Sequence, residues 1–355
     1  MHEDSPHTTE GWNAIDARLG ALYGDQEPHH YGTLISYSLG GPDPLDGISA
    51  YKRTEPTPHW HFVTYGFSDL YEKEGGNPDV SGFGFELTFR MASTEEDSEP
   101  PTWMLNFLQN LARYVFSTGN VFKRGDHMDL NGPIALGKST NIVAIAFAYD
   151  LELAPVDSPN GRVEFLQVVG LTSDEFRAAR CWNTVGFLQV LSKRNPLMIT
   201  DLARDSILED AATAATVQNR SASEGSSTGH LFADSMTWTL EPGPLRSKGV
   251  LVTMGANAAR QVSDILPGRV PHGRPLSLGS GKQIITFEPG NSPSWSADDR
   301  DHLRIRLSGD AAYELARSLG TGVGDYDVPE LPDVHFTVRL SKIKDGGGRV
   351  VREVP

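Results

Sequence analysis

Apolar residues recur at helical spacing in several stretches of this 355-residue chain. Trp12, Ile15, Leu19 and Leu22 mark a first helix starting near Gly11, and Gly24 stops it. Met104, Phe107, Leu108, Leu111, Tyr114 and Val115 make the cleanest stripe; Thr102 is placed to cap it, and Gly119 follows its end. Thr172 and Glu175 form a capping box ahead of a third helix running to about Lys193. Elsewhere the period is two. Phe83, Phe85, Leu87 and Phe89 alternate with Gly84, Glu86, Thr88 and Arg90, the pattern of a half-buried strand. Thr33–Leu39, Ile48–Tyr51 and His59–Tyr65 predict further strands; Asp25–His30 is a turn, and Pro56 and Pro58 lie in a hairpin connection. Ile142–Tyr149 (IVAIAFAY) is apolar throughout, which suits a central strand covered on both faces. Val163–Val169, Leu197–Thr200 and Met236–Leu240 complete the strands of a first domain.

The pattern divides the chain. Residues 1–10 read as a flexible tail, and 11–241 as a mixed-sheet domain with flanking helices. Within it, 209–229 is a low-complexity loop of Ala, Thr, Ser, Asn and Gly. Pro242, Gly243 and Pro244 open a linker over 242–248. Residues 249–344 hold strands at Val250–Met254, Gln283–Phe287, Leu303–Leu307 and His335–Leu340, with one helix at Ala311–Leu319. That makes a smaller, β-rich second domain, followed by a flexible tail over 345–355. The fold class is α/β, of the α+β type.

Composition excludes more than it assigns. With 38% hydrophobic and 22% charged residues the chain is expected to fold. A net charge of −15 argues against direct nucleic-acid binding and favours basic or neutral partners. The single cysteine, Cys181, cannot form an intramolecular disulfide and sits in an apolar helical pattern, as a buried structural thiol would. The acidic start MHEDSPHTTEGW has no signal-peptide pattern, and no apolar run reaches the roughly 20 residues that span a bilayer. A cytoplasmic protein without membrane contact is the expectation.

Motifs that could carry chemistry are weak. Gly132–Ser139 (GPIALGKS) matches the phosphate-loop pattern, but polar residues precede it and a β-branched run follows, so the strand–loop–helix context is missing. His59 and His61 share one strand face, where two imidazoles could hold a metal with His29, His30 or His127 as a third ligand. A metal-dependent hydrolase using His59 and His61 is therefore the enzymatic alternative. The other use of these histidines is hydrogen bonding around the Gly40, Gly41, Pro42, Asp43, Pro44, Asp46 loop (GGPDPLD). No nucleophile elbow and no opposed carboxylate pair is present. Residue chemistry points to no catalytic residue, metal or cofactor.

A set of long strings in one order adds to this. LGGPDPLDGISAY (39–51), HWHFVTYGFSDLY (59–71), SGFGFELTFR (81–90), PPTW (100–103), LARYVF (111–116), RGDH (124–127), FLQVVG (165–170) and LMITD (197–201) resemble the N-terminal domain of the Suppressor of fused family. PGRVPHGRPLSLGSGKQIITF (267–287) is similar to its C-terminal domain. The markers include Gly40, Gly41, Pro42, Asp43, Pro44, Asp46, His59, Trp60, His61, Phe83 and Phe85, read as scaffold. The resemblance implies a non-catalytic binding protein that sequesters a protein or peptide partner, added as a β-strand in a cleft between two domains. In animal members the partner is a Gli-type transcription factor of Hedgehog signalling. Tyr114, Phe122, Asp126 and Tyr149 fall on positions of that site, with Tyr149 where the family has an acidic residue and Gln261 where it has a leucine. Asp126 would accept hydrogen bonds from the partner, and Tyr114 and Phe122 would shape its pocket. The chain's compactness resembles bacterial members, which implies an alternative: an immunity protein neutralising a cognate toxin.

Overall fold

The computed structural model describes all residues except 1–7, 74, 243–247, 299–300, 329, 345–348 and 355. It comprises two units, one formed by Met1–Phe176 with Leu188–Asp210, the other by Arg177–Phe187 with Ala211–Pro355.

Strands β1 (His29–Gly32), β2 (Gly47–Arg53), β3 (His59–Tyr65), β4 (Val80–Ala92), β5 (His127–Asp129), β6 (Ile142–Tyr149), β7 (Val156–Ser158) and β8 (Gly161–Thr172) build one sheet in the first unit. Its order is β1-β2-β3-β4-β8-β6-β5, with β7 paired to β8 off this path. Every pair is antiparallel except β4 with β8, where Leu87 lies opposite Leu166. Helix α1 (Glu10–Tyr23) buries Ile15 and Leu19 in a cluster with Tyr51, Val63, Tyr65 and Phe165. Helix α2 (Trp103–Thr118) buries Met104, Leu108, Leu111 and Val115 against Phe85, Leu87, Phe89 and Phe147. Each such side chain contributes about 1.5–3 kcal/mol by leaving water. Of the stripe read from the sequence, Met104, Leu108, Leu111 and Val115 are buried and Phe107 partly so, while Tyr114 is exposed.

The half-buried expectation for Phe83–Arg90 does not hold. Glu86, Thr88 and Arg90 are as completely buried as Phe89 and Leu87, all at 0% exposure. The sheet is covered on both faces, so the polar face of β4 is also interior. Glu86 survives there by accepting from Thr64 Oγ1 (2.7 Å), Gly66 N (2.9 Å), Ser68 N (3.0 Å) and Ser68 Oγ (2.6 Å).

Other expectations are corrected locally. Thr33–Leu39 is a turn and a short 3-10 helix, while the strand lies earlier, at β1. Ile142–Tyr149 is buried on both faces but is next to last in the sheet. Thr102 makes no side-chain cap bond, its backbone being already helical. The third helix is two, α3 (Ser173–Cys181) and α4 (Thr184–Arg194), broken at Trp182–Asn183. Half of the capping box forms, as Thr172 N donates to Glu175 Oε2 at 3.0 Å. Leu197 and Met198 of the expected Leu197–Thr200 strand lie in a 3-10 turn, Pro196–Met198, and Thr200 makes a single bridge to Met91.

The stretch 209–229 is largely helix, α5 (Ala211–Glu224), which buries Thr213 and Val217. Small residues suffice for one shallow contact face. The second unit takes in Arg177–Phe187 and resumes at Ala211 with this helix, ahead of the expected linker at 242–248. Strands β10 (Met236–Pro242) and β11 (Lys248–Gly255) pair antiparallel, so Met236–Leu240 belongs to the second unit and not to the first sheet. Residues 243–247 lie outside the described residues. One sheet runs β10-β11-β17-β16, with β16 (Gly324–Val328) and β17 (Leu331–Arg339). Another runs β14-β15-β13-β12-β9, from β9 (His230–Phe232), β12 (Leu276–Ser280), β13 (Gln283–Pro289), β14 (Ser294–Asp298) and β15 (His302–Leu307). Helices α6 (Ala256–Ile265) and α7 (Gly309–Leu319) bury Val262 and Leu315 with Val252, Leu278, Ile285 and Phe336. The expected single helix missed α6, whose buried face is mostly alanine. The expected 345–355 tail contains a strand, β19 (Val350–Val354), paired with β18 (Ser341–Lys344). Of the expected 1–10 tail, residues 1–7 lie outside the described residues and Glu10 opens α1.

Candidate functional site

Two clusters in the first unit hold the residues that the sequence singled out, and their chemistry differs. The first is interior. Asp150, just beyond the end of β6, accepts from Arg90 Nη2 at 2.9 Å, Thr88 Oγ1 at 2.8 Å and His61 Nε2 at 3.1 Å. His61 and Thr88 bond Oδ2, while Oδ1 takes Arg90 together with the backbone N–H of Glu152 (2.8 Å) and Leu153 (3.0 Å). Burial opposes ionisation of Asp150, but His61 and Arg90 outweigh it and hold the carboxyl well below the usual carboxylate range. Burial, reinforced by Arg90, pushes His61 down to about 4. His61 is therefore a neutral ring, donating from Nε2 to Asp150 and accepting at Nδ1 from Tyr23 Oη at 2.5 Å. His59 is likewise engaged, at Nδ1 by Thr57 O (2.8 Å) and at Nε2 by Arg90 Nη1 (3.3 Å). All four ring nitrogens are occupied and both side chains are buried. Among the described residues no group of three or more His, Cys, Asp or Glu is placed to hold a metal ion. The geometry speaks against the hydrolase alternative through His59 and His61. His29 and His30 are held elsewhere, by Glu99 and Ser49 respectively, and His127 lies edge-on to Phe176.

The marker loop is pinned to α2. Gly40 adopts φ +89 and donates to Tyr37 O at 3.0 Å, while a Cβ on Gly41 would meet Ile35 O at 2.1 Å. Asp43 pairs with Arg113, and Pro42 O accepts from Arg113 Nε at 3.2 Å. Between Pro44 and Asp46, Leu45 exchanges two 3.2 Å hydrogen bonds with the Gln109 amide. Asp46 N bonds Tyr65 O at 2.9 Å. Trp60 and Phe85 are core, and Phe83 packs edge-on to Phe116 at 4.9 Å.

The phosphate-loop match feeds directly into β6, with Ile134 and Ala135 buried and no helix following. Cys181 donates to Asp264 O at 3.4 Å, and burial pushes its thiol up to about 11, which disfavours the thiolate.

The second cluster is at the surface. At the end of α2, Gly119 closes the helix in the left-handed region and returns the chain toward the sheet. Phe122 is 6% exposed and stacks between Tyr114 (centroids 5.6 Å apart, planes at 16°) and Phe147 of β6 (4.2 Å, 18°). Asn120 Nδ2 donates to Tyr114 Oη at 3.0 Å. Gly125, at φ +92, lets the chain turn sharply so that its N–H and the Asp126 carbonyl both bond Phe147. Asp126 Oδ2 accepts from Lys123 N at 2.8 Å and closes that turn. The chain then enters β5, the last strand of the sheet. Tyr149, at 48% exposure, lies under the guanidinium of Arg124, whose centre is 5.4 Å from the ring centroid. The structure thus gathers Tyr114 and Phe122 in one stack and Asp126 in the turn beside it, with Tyr149 at the end of the strand that pairs with β5. Arg124 and Asn120 were not singled out from the sequence. Arg124 sits in the RGDH string, and its contact with Tyr149 needs the β5–β6 pairing to become visible.

These features define a two-unit mixed α/β protein with an interior ionic scaffold and an aromatic cluster beside a terminal strand. Residues 41–205 match the family profile described as Suppressor of fused protein (SUFU). The human Suppressor of fused homolog is 39% identical over 209 residues, which cover 55% of this chain and 43% of the human protein. The chain therefore matches less than half the length of that relative. A structure described as the Sufu-Fu complex aligns at 35% identity and TM-score 0.55, covering 59% of this chain and 98% of that one. The crystal structure of Drosophila Suppressor of Fused aligns over 93% of this chain and 97% of its own, with TM-score 0.77 at 22% identity, and so shares the fold across both units. The chain belongs to the Suppressor of fused family.

Proposed function

We propose that this chain is a non-catalytic module that captures a protein or peptide partner by adding an extended segment of it to the β5 edge. The observation that carries the reading is the aromatic stack of Tyr114, Phe122 and Phe147 beside a strand that ends its sheet. A terminal strand supplies main-chain hydrogen bonds to an added strand, and neighbouring rings supply pockets that read its side chains. Family membership supports a protein partner, since a related structure is a Sufu-Fu complex. Asp126 Oδ1 is the acceptor offered to that partner, and Tyr149 is the outer wall.

A photocrosslinking residue at Asp129 of β5 tests this in native lysate. The expected result is one discrete adduct, lost on Tyr114→Ala and weakened by Asp126→Ala. Mass spectrometry of the adduct then separates a toxin from a regulatory protein. No discrete adduct, or an adduct indifferent to Tyr114→Ala, overturns the reading.

A further inference from the structure

The surface beside β5 carries a cation that no internal charge answers. In the first unit Arg53, Arg90, Arg113, Arg162, Arg194 and Arg204 each pair with a carboxylate. Arg18 donates to Pro155 O at 3.1 Å. Arg124 has neither kind of partner among the described residues; its contact is the Tyr149 ring. In a chain of net charge −15, where carboxylates are abundant, that is a departure from the pattern. The nearest acid in sequence, Asp126, has one oxygen committed to the Lys123 N–H. Lys123 is also exposed, which adds a second positive group to the same rim.

A guanidinium over an aromatic ring is held by the π face while its in-plane N–H groups point outward. Those donors form a fork that matches a carboxylate, and the ring limits the rotamer freedom that such a pairing would otherwise cost. Arg124 lies two residues after Phe122 of the stack and three before His127, the first residue of β5. It therefore stands at the end of the edge to which a partner segment would add.

We propose that Arg124, seated on Tyr149, is the specificity-determining cation of this edge, and that the captured segment carries an aspartate or glutamate whose carboxylate pairs with it. The proposal rests on the β5 strand-addition reading and names the chemistry of its occupant. The aromatic stack selects apolar side chains, and Arg124 selects the acid among otherwise suitable segments.

Selection of a displayed library of random peptides against the purified full chain tests it, with wild type and Arg124→Glu in parallel. Arg124 is exposed, and matching thermal melts will confirm that the variant folds. Wild type is expected to enrich peptides with Asp or Glu at a fixed distance from an apolar position. Arg124→Glu is expected to keep the apolar position and exchange the acid for Lys or Arg. A synthetic wild-type-selected peptide should bind Arg124→Glu about tenfold more weakly, and its acid-to-lysine version should recover most of that loss. Each selected peptide is also asked to block the crosslink placed at Asp129. Peptides that block it but show no acid, or are the same for both proteins, overturn the role of Arg124 and leave strand addition standing. No enrichment, or peptides that bind without blocking it, overturns both.

Discussion

Tyr149 and Asp150 are neighbours in sequence and opposites in environment. Asp150 is 7% exposed and accepts hydrogen bonds from five groups, two of them backbone N–H groups. Tyr149 is 48% exposed and its ring lies against the Arg124 guanidinium. The side-chain period of a strand sends consecutive residues to different faces, so the end of β6 delivers one residue to the scaffold and one to the surface. The difference lies in saturation. In the interior cluster both Asp150 oxygens and all four imidazole nitrogens are engaged within the protein. Around β5, Arg124 and one oxygen of Asp126 keep unused capacity. Buried charge in this chain holds shape, and the surface rim is where the proposed recognition falls.

Substituting Asp150 should break the comparison most violently if it is sound. Among the described residues, Asp150→Ala leaves Arg90 with Glu152, itself partly exposed, as its one carboxylate, and removes the acceptor for His61. Removing one partner of a buried ion pair costs about 3–5 kcal/mol. Tyr149→Ala should cost less than about 1 kcal/mol, as surface changes do. Urea midpoints for the two variants measure this directly. Equal losses would mean that Tyr149 is structural too.

A pH series separates two titrations hidden in the scaffold. His61 is lowered from 6.5 to about 4, so its neutral form contributes stability that is complete above pH 6.5 and is lost as pH falls toward 4. Glu86 is raised from 4.5 to about 7, because burial outweighs its four hydrogen bonds. Its protonated form is the favoured one, so that contribution is complete below pH 4.5 and is lost as pH rises toward 7. Each effect is on the order of 3 kcal/mol and they oppose one another. Wild-type stability should therefore be nearly flat between about pH 5 and 6.5. Glu86→Gln should make stability rise with pH across that window, and His61→Gln should make it fall. Parallel slopes in the two variants would refute the assignment of opposite signs.

What could be read from the sequence follows the range of the interactions concerned. The α2 stripe was legible because helical spacing is local, and Met104, Leu108 and Val115 are the residues it buries. Alternation in β4 showed that its two faces differ but could not show what covers the polar one. Arg90 finds its counter-ion 60 residues away, and His61 finds the same one 89 residues away. Strand β5 is three residues long and lies inside a polar connection, too short for any period to register. Helix α5 was hidden for another reason: its Ala, Thr and Ser have little to bury, and composition resembled a loop. Tyr114, Phe122, Asp126 and Tyr149 came from resemblance rather than spacing, since their stacking depends on Phe147 across the sheet. Arg124 escaped because an exposed arginine in a turn is unremarkable until its missing counter-ion can be seen.

The smallest substitutions divide the aromatic stack itself. Phe122 is almost fully buried between two rings, so Phe122→Ala should cost about 3–5 kcal/mol and lose capture through misfolding as much as through contact. Tyr114 is 37% exposed, and Tyr114→Ala should change stability by no more than about 1 kcal/mol while removing the outer ring. Tyr114→Phe is finer still: it deletes only the hydroxyl that accepts from Asn120, a partly solvated hydrogen bond worth about 0.5–1 kcal/mol. If the ring face is what a partner uses, Tyr114→Phe should retain the Asp129 crosslink and Tyr114→Ala should lose it, with both proteins folded by circular dichroism. Loss in both would shift recognition from the ring to the hydroxyl. Retention in both would place capture away from this stack and return Tyr114 to the scaffold.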